Sequence, residues 1–230
     1  MSAPVLFLHG LATNARRTWG DTGWLDLVGD SGRTVLAPDL LGHGSAPQPT
    51  DPAAYDGFEQ FVVDLLPDEP VDAVGFSLGA RTLLVLAAAH PERFGRLVVA
   101  GVGANLFRRD GTSGSLADAL DAHERGTDDG SDNPMVHHFR QLADSSGQSI
   151  AALTALLRRP TPPTLDAATL AGVTHDTLVV LGDRDFAGPA DPLVDALPNC
   201  RFVGLRNVDH FATPKSMGFI DAGLQHLGLF

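Results

Sequence analysis

Three short stretches hold residue types that together could run a nucleophilic displacement. The first is Gly75-Phe76-Ser77-Leu78-Gly79, a serine between glycines where a short apolar run meets a long one. It fits the G-x-S-x-G pattern of a strand, a strained turn carrying the serine, and a helix. A serine hydroxyl is a weak nucleophile, so it must stand exposed and aimed at an imidazole that takes its proton. The alternative for the pentapeptide alone is a buried serine capping a core helix, so partners have to be sought in the order serine, acid, histidine. His210, in "GLRNVDHFATP", follows the last β-rich run and precedes the last helical one, which puts its loop on the same rim as Ser77. The stretch "TLVVLGDRDFAGP" offers Asp183 and Asp185 directly after a β-rich run. The acid fixes the imidazole tautomer and stabilises the imidazolium; spacing alone does not choose between the two aspartates. Asp209 is poorly placed, because neighbouring residues point apart.

Negative charge developing on a carbonyl oxygen needs two backbone N–H donors. Leu78, next after the serine, supplies one. "FLHGLATN" turns at His9-Gly10 after the first β-rich run and offers the Leu11 amide as the second. His9 reads as satisfying turn backbone groups rather than as a second base. The remaining histidines are less well placed. His43 lies in a turn after the second strand, and His90 precedes a proline at a helix end. His123, His137, His138 and His175 fall in or just after a long interval without strands, and His226 sits in the last helix. Without clustered cysteine or carboxylate spacing, no metal site and no cofactor is expected.

The elements that must position these residues follow from hydrophobic runs. Residues 4–10, 34–40, 72–77, 96–102, 177–183 and 201–205 are near-continuous apolar runs, as parallel strands covered on both faces require. Helical stretches separate them. Asp51-Pro52 is an N-cap and first-turn pair, and Tyr55, Phe58, Val62 and Leu65 repeat at helical spacing behind it. "LGARTLLVLAAA" is apolar on nearly every side and stops at His90-Pro91. Thr213-Pro214 opens a last helix with Met217, Ile220, Leu224 and Leu227 on one face and Gly228 as its stop. This alternation predicts an α/β fold: an open, mostly parallel sheet of about six strands flanked by helices.

One interval breaks the rhythm. Residues 103–172 hold short amphipathic pieces and no strand, which predicts a helical lid or binding insertion after the fourth strand, between core segments 1–102 and 173–230. Phe107, Met135, Phe139 and Leu153, with Leu116, Leu120 and Leu157, could line an apolar substrate pocket or attach the insertion to the sheet. Arg81, Arg108, Arg109, Arg158 and Arg159 could hold a substrate carboxylate; solvated positions on helix faces are preferred. Trp19 and Trp24 read as packing residues.

The chain has 230 residues, 43% of them hydrophobic and 19% charged, which suits one globular domain with a sizeable core. A net charge of −12 leaves no basic face for nucleic acid. The single cysteine, Cys200, forms no intramolecular disulfide, and no run reaches the ~18 apolar residues of a membrane span. The N-terminal "APVLFLH" lacks the basic flank of a signal peptide and reads as a strand. A cytoplasmic protein acting on a small molecule is expected, with no nucleic-acid or membrane partner; no sequence feature specifies an oligomeric state.

With "HGL" (9–11), "DLLGHGSA" (39–46), "GFSLGA" (75–80), "GDRD" (182–185) and "VDHF" (208–211) in this order, the chain resembles the α/β-hydrolase superfamily over essentially its whole length. The resemblance implies that Asp185 is the acid, with Asp183 as the fallback. It implies that 103–172 is a cap over the site and that the Leu11 and Leu78 amides form the oxyanion hole. It also implies a start at the family's third strand, hence about six strands without the usual antiparallel hairpin. At the elbow, "LGAR" stands where many relatives have a double glycine, so Ala80 adds a methyl close to a neighbouring strand. Relatives that are dehalogenases or epoxide hydrolases use an aspartate where this chain has Ser77. What the resemblance then implies is a serine hydrolase cleaving a carboxylic ester, thioester or lactone of a small, largely apolar substrate through an acyl-enzyme on Ser77. C–C bond hydrolysis, a lyase step like that of menaquinone biosynthesis, or a low-turnover small-molecule receptor would use the same residues.

Overall fold

The computed structural model describes residues 2–108, 112–127 and 134–229, apart from the side chains of Thr112, Ser113, His123, Pro134 and Met135. Six parallel strands form one sheet: β1 (Val5–Leu8), β2 (Val35–Leu36), β3 (Val71–Phe76), β4 (Phe94–Ala100), β5 (Thr177–Gly182) and β6 (Cys200–Leu205), in the order β2-β1-β3-β4-β5-β6. The helices are α1 (Trp24–Asp30), α2 (Phe58–Val63), α3 (Leu78–Ala89), α4 (Thr112–Glu124), α5 (Pro134–Ser146), α6 (Ile150–Leu157), α7 (Ala167–Leu170), α8 (Asp191–Ala196) and α9 (Met217–His226).

The central strands bury both faces, and alternate residues enter two separate cores. Leu6 and Leu8 of β1 join Leu83 and Leu86 of α3, while Val5 and Phe7 join Trp24 of α1 and Phe219 of α9. Trp19 and Trp24 are fully buried and meet edge to face, 5.8 Å between ring centroids, so both are packing residues. Burying each such side chain contributes roughly 1.5–3 kcal/mol. The edge strands differ from the expectation of continuous burial. β2 is two half-buried residues, and β6 leaves Arg201 and Phe202 exposed, because an edge strand has a neighbour on one side only.

The Asp51-Pro52 signal is met by a 3₁₀ turn, Pro52–Tyr55, in which the Asp51 carboxylate accepts the Ala53 N–H, and α2 follows after Gly57. Thr213-Pro214 likewise opens a 3₁₀ turn, Thr213–Lys215, and α9 starts two residues later.

Helices α4 to α7 lie between β4 and β5, where a helical insertion is predicted. Apolar residues of α4, α5 and α6 join the core on the α3 side of the sheet. Arg159 adds a two-pronged ion pair to Glu59 of α2, at 2.9 and 3.1 Å, and stacks 5.0 Å over the Phe58 ring. Arg81 of α3 donates to the Pro163 carbonyl, and Thr161 to Asp56 at 3.1 Å. Among the described residues no helix is long and apolar enough to cross a membrane.

Candidate functional site

Strand order reverses between β1 and β3, and open α/β sheets bind ligands in the crevice at such a point, outside the carboxyl ends of the strands. Ser77 stands there, between β3 and α3. Its backbone is at φ 52°, ψ −112°, left-handed for a residue with a Cβ, a strain that needs the surroundings to hold it. The surroundings do so at close range. A Cβ on Gly79 would lie 2.0 Å from the Leu8 carbonyl oxygen, and one on Gly75 2.7 Å from the Ala80 Cα. The turn is thus pressed between the end of β1 and the first turn of α3, and the Ser77 N–H is tied to the Ala100 carbonyl at 2.8 Å.

His210 leaves the sheet beyond β6, yet Ser77 leaves it at β3, so the loop after β6 has to cross the ends of β5 and β4. Two glycines let it pass. A Cβ on Gly182 would sit 2.0 Å from the Val208 carbonyl oxygen, and one on Gly101, whose φ is +69°, 3.1 Å from His210 Cε1. Folded over in this way, His210 places Nε2 3.0 Å from Ser77 Oγ. Its Nδ1 lies 2.9 and 3.0 Å from the two carboxylate oxygens of Asp185. An ionised carboxylate only accepts, so Nδ1 carries the hydrogen and Nε2 turns a lone pair toward the serine. Both partners are buried, and Asp185 Oδ1 also accepts the Ala187 N–H at 2.8 Å.

Asp183 is exposed and differently engaged: it accepts the Asn207 N–H at 2.8 Å, fixing the turn that sends the chain back toward Ser77. Asp209 accepts the Ala212 N–H at 2.8 Å and closes the turn after His210.

The loop after β1 runs against the serine. A Cβ on Gly10 would lie 3.6 Å from the Ser77 Cβ. Among the described residues, neither the Leu11 nor the Leu78 amide donates to a protein acceptor. Two orphan donors flanking a nucleophile can receive an anionic oxygen.

Buried polar side chains brace this loop against the loop after β2. The Leu40 N–H donates to His9 Nε2 at 3.0 Å, leaving Nδ1–H for the Gly10 carbonyl at 2.8 Å. The Ala12 N–H donates to His43 Nε2 at 3.2 Å, and the Ala15 N–H to Asp39 at 2.8 Å. Burial pushes His9 down to about 4 and His43 down to about 3, so both are neutral acceptors. Burial alone would raise the Asp39 carboxyl, but hydrogen bonds from Ser45 and Ala15 outweigh it and hold it below its usual value. His9 therefore does the backbone work expected of it, and His43 shares that work, which its turn position alone did not reveal.

Aromatic rings surround His210: Phe186 at 4.2 Å, Phe76 at 4.9 Å and Phe211 at 5.4 Å between centroids. Phe186 is 41% exposed. His138 of α5 stacks on Phe211 at 4.8 Å and 11°, and Phe139 meets Phe211 edge-on at 5.6 Å. Sequence reasoning passed over Phe186, Phe211 and His138, although Phe186 and Phe211 each directly follow a site residue. Of the pocket candidates, Phe139 reaches this aromatic group. Phe107 is half-buried against the core, Leu153 is fully buried in it, and the Met135 side chain lies outside the described residues.

Two of the arginines depart from the solvated expectation: Arg81 and Arg159 tie the insertion to the core. Arg158, paired with Asp118 and Asp121, and Arg108, which donates to the Gly188 carbonyl at 3.2 Å, stay exposed. Arg109 lies outside the described residues. No group of three potential metal ligands occurs among the described residues. Two surface cavities of about 480 and 470 Å³ lie elsewhere: one by Arg201 and His226, the other by Arg33 and Asp72 near the amino ends of the strands. Neither includes Ser77.

A sequence model described as the alpha/beta hydrolase fold matches residues 3–123. A 2-hydroxymuconate semialdehyde hydrolase of Pseudomonas sp. strain CF600 is 33% identical over 126 residues, 52% of this chain and 41% of that protein. A pimeloyl-[acyl-carrier protein] methyl ester esterase of Neisseria meningitidis serogroup B is 32% identical over 174 residues, 67% of this chain and 66% of that protein. The matches thus span about two fifths and two thirds of these curated relatives. The solved structure of MenH from S. aureus superposes with a TM-score of 0.76 at 20% identity, covering 98% of this chain and 93% of that one; the likeness is one of fold.

Proposed function

The chain belongs to the alpha/beta hydrolase fold family, and from this premise we propose that it is a serine hydrolase cleaving a carboxylic ester, thioester or lactone of a small, largely apolar substrate. The observation that carries this reading is the relay itself: Ser77 Oγ to His210 Nε2 at 3.0 Å, and His210 Nδ1 to Asp185 at 2.9 Å. Ser77 Oγ attacks the carbonyl carbon as its proton passes to Nε2. The carbonyl oxygen, now negative, takes the Leu11 and Leu78 N–H groups. Collapse breaks the bond to the leaving group, which accepts the proton from Nε2. Water, deprotonated by Nε2, then releases the carboxylic acid and restores the serine.

Residues 103–172 act in this reading as a cap on the core formed by 1–102 and 173–230. The stacking of His138 on Phe211, beside His210, supports this. The apolar preference rests on Phe186, Phe211 and Phe139 around the histidine.

A second reading, hydrolysis of a C–C bond next to a carbonyl, is favoured by the 33% identity to a 2-hydroxymuconate semialdehyde hydrolase. Steady-state rates on p-nitrophenyl esters of graded chain length, beside an unsaturated β-diketone-type substrate, separate the two. Multiple turnovers on the esters, abolished in Ser77→Ala, support the first reading. Preference for the diketone supports the second. A single slow turnover on either substrate marks a receptor and defeats both.

A further inference from the structure

The loop carrying Leu11 is held from an unexpected direction. Ala12 has φ 61°, a left-handed backbone that a residue with a Cβ adopts at a cost of about 1–2 kcal/mol. Its N–H is fixed by His43 Nε2 at 3.2 Å. His43 is itself locked: its N–H donates to the Leu40 carbonyl at 2.9 Å, and its ring meets His9 edge-on at 5.1 Å. The next residue, Gly44, has no slack either, since a Cβ there would lie 2.2 Å from the Asp39 carboxylate.

The Gly44 N–H donates to Gln148 Oε1 at 2.9 Å, across 104 residues of chain. Gln148 comes from the turn between α5 and α6 and is 8% exposed. Its own Nε2 donates to the Ser146 carbonyl at 3.1 Å, which fixes the side-chain orientation. A second tie runs alongside: Arg17 Nη1 donates to the Ser145 carbonyl at 2.6 Å. The end of α5 and the turn after it are therefore hydrogen-bonded to the loop after β2 and to the helical turn Arg16–Gly20 that follows the loop carrying Leu11.

We infer that Gln148 is a positioning residue through which the insertion sets the oxyanion loop, by way of Gly44, His43 and Ala12. The catalytic part of this inference rests on the Leu11 amide receiving the oxyanion; the mechanical part does not. Gln148 touches no reacting atom. An amide donor displaced by a fraction of an ångström weakens the transition state more than the bound ester, whose carbonyl carries little charge.

Two readouts test it. Gln148→Leu removes the acceptor at similar size, whereas Gln148→Glu keeps an oxygen facing Gly44 but loses the Nε2 donor to Ser146. The first is amide hydrogen exchange on peptides covering residues 9–15: the Leu variant should exchange faster there than the wild type, with the Glu variant between the two. The second is ester turnover: Gln148→Leu should lower kcat about tenfold with KM within about twofold, and Gln148→Glu should recover about threefold or more of that loss. Unchanged exchange in the Leu variant, equal damage by both substitutions, or a loss confined to KM would overturn the inference. Should ester turnover in the wild type prove independent of Ser77, the hydrolase reading fails, and the exchange result alone still decides the coupling. If Gln148→Leu does not fold, Gln148→Asn, which keeps the polarity and shortens the reach, is read in the same way.

Discussion

Asp183 and Asp185 leave the same strand two residues apart, and replacing each by asparagine should give very different enzymes. In Asp185→Asn the side-chain oxygen accepts the Ala187 N–H at 2.8 Å and stays 2.9 Å from His210 Nδ1. Meeting both puts the amide NH₂ at the Oδ2 position, 3.0 Å from the same Nδ1. An NH₂ group only donates, so it opposes a hydrogen on Nδ1 and favours the imidazole tautomer with hydrogen on Nε2. Nε2 then points a hydrogen at Ser77 Oγ and can no longer take one. Loss of the correct tautomer in a serine relay costs on the order of 10⁴-fold in kcat, about 5 kcal/mol of barrier. Asp183→Asn keeps the acceptor for the Asn207 N–H, and its activity should stay within about threefold. The assay is steady-state hydrolysis of a short p-nitrophenyl ester, with thermal melting to show that both variants fold. Losses of similar size in the two variants, or less than tenfold in Asp185→Asn, would refute the tautomer argument.

Other perturbations follow from the same contacts. Gly79→Ala drives a methyl to 2.0 Å from the Leu8 carbonyl and should cost about 1–3 kcal/mol or more, lowering Tm by about 2–4 °C per kcal/mol. Gly29→Ala, at an exposed position of α1 with open space around it, should raise stability by about 0.5–1 kcal/mol. Arg159→Met leaves the Glu59 carboxylate, 14% exposed, without its partner; denaturant unfolding should show a loss of about 3–5 kcal/mol. His9 and His43 are held at about 4 and about 3, below the 6.5 of a free histidine. The unfolded chain therefore binds protons first, and stability should fall as pH drops below about 6.5, by up to about 1.4 kcal/mol per pH unit for each ring. Unfolding curves at pH 7.5 and pH 5 that coincide would contradict neutral burial of these two histidines.

The sheet, the elbow and the histidine loop were legible because each leaves a local mark: an apolar run, glycines around a serine, a histidine between a strand and a helix. Asp185 and Asp183 were not separable in that way, since both follow β5 and only the path of the chain beyond β6 assigns one to His210 and the other to Asn207. The edge strands were read as more buried than they are, because an apolar run does not say which strands lie at the ends of the sheet. Gly101 and Gly182 looked like ordinary strand ends, and their role exists only once a distant loop lies across them. Arg159 was read as solvated because its carboxylate partner, Glu59, lies 100 residues away. Gln148 was missed for the same reason.

The proposed chemistry requires His210 to make Ser77 nucleophilic. The most direct measurement is the rate at which a fluorophosphonate modifies the purified protein, with the modified residue located by mass spectrometry. Labelling should fall on Ser77 alone, vanish in Ser77→Ala, and slow by a factor on the order of 10² or more in folded His210→Ala. Modification at another residue, or an undiminished rate without the imidazole, would contradict it.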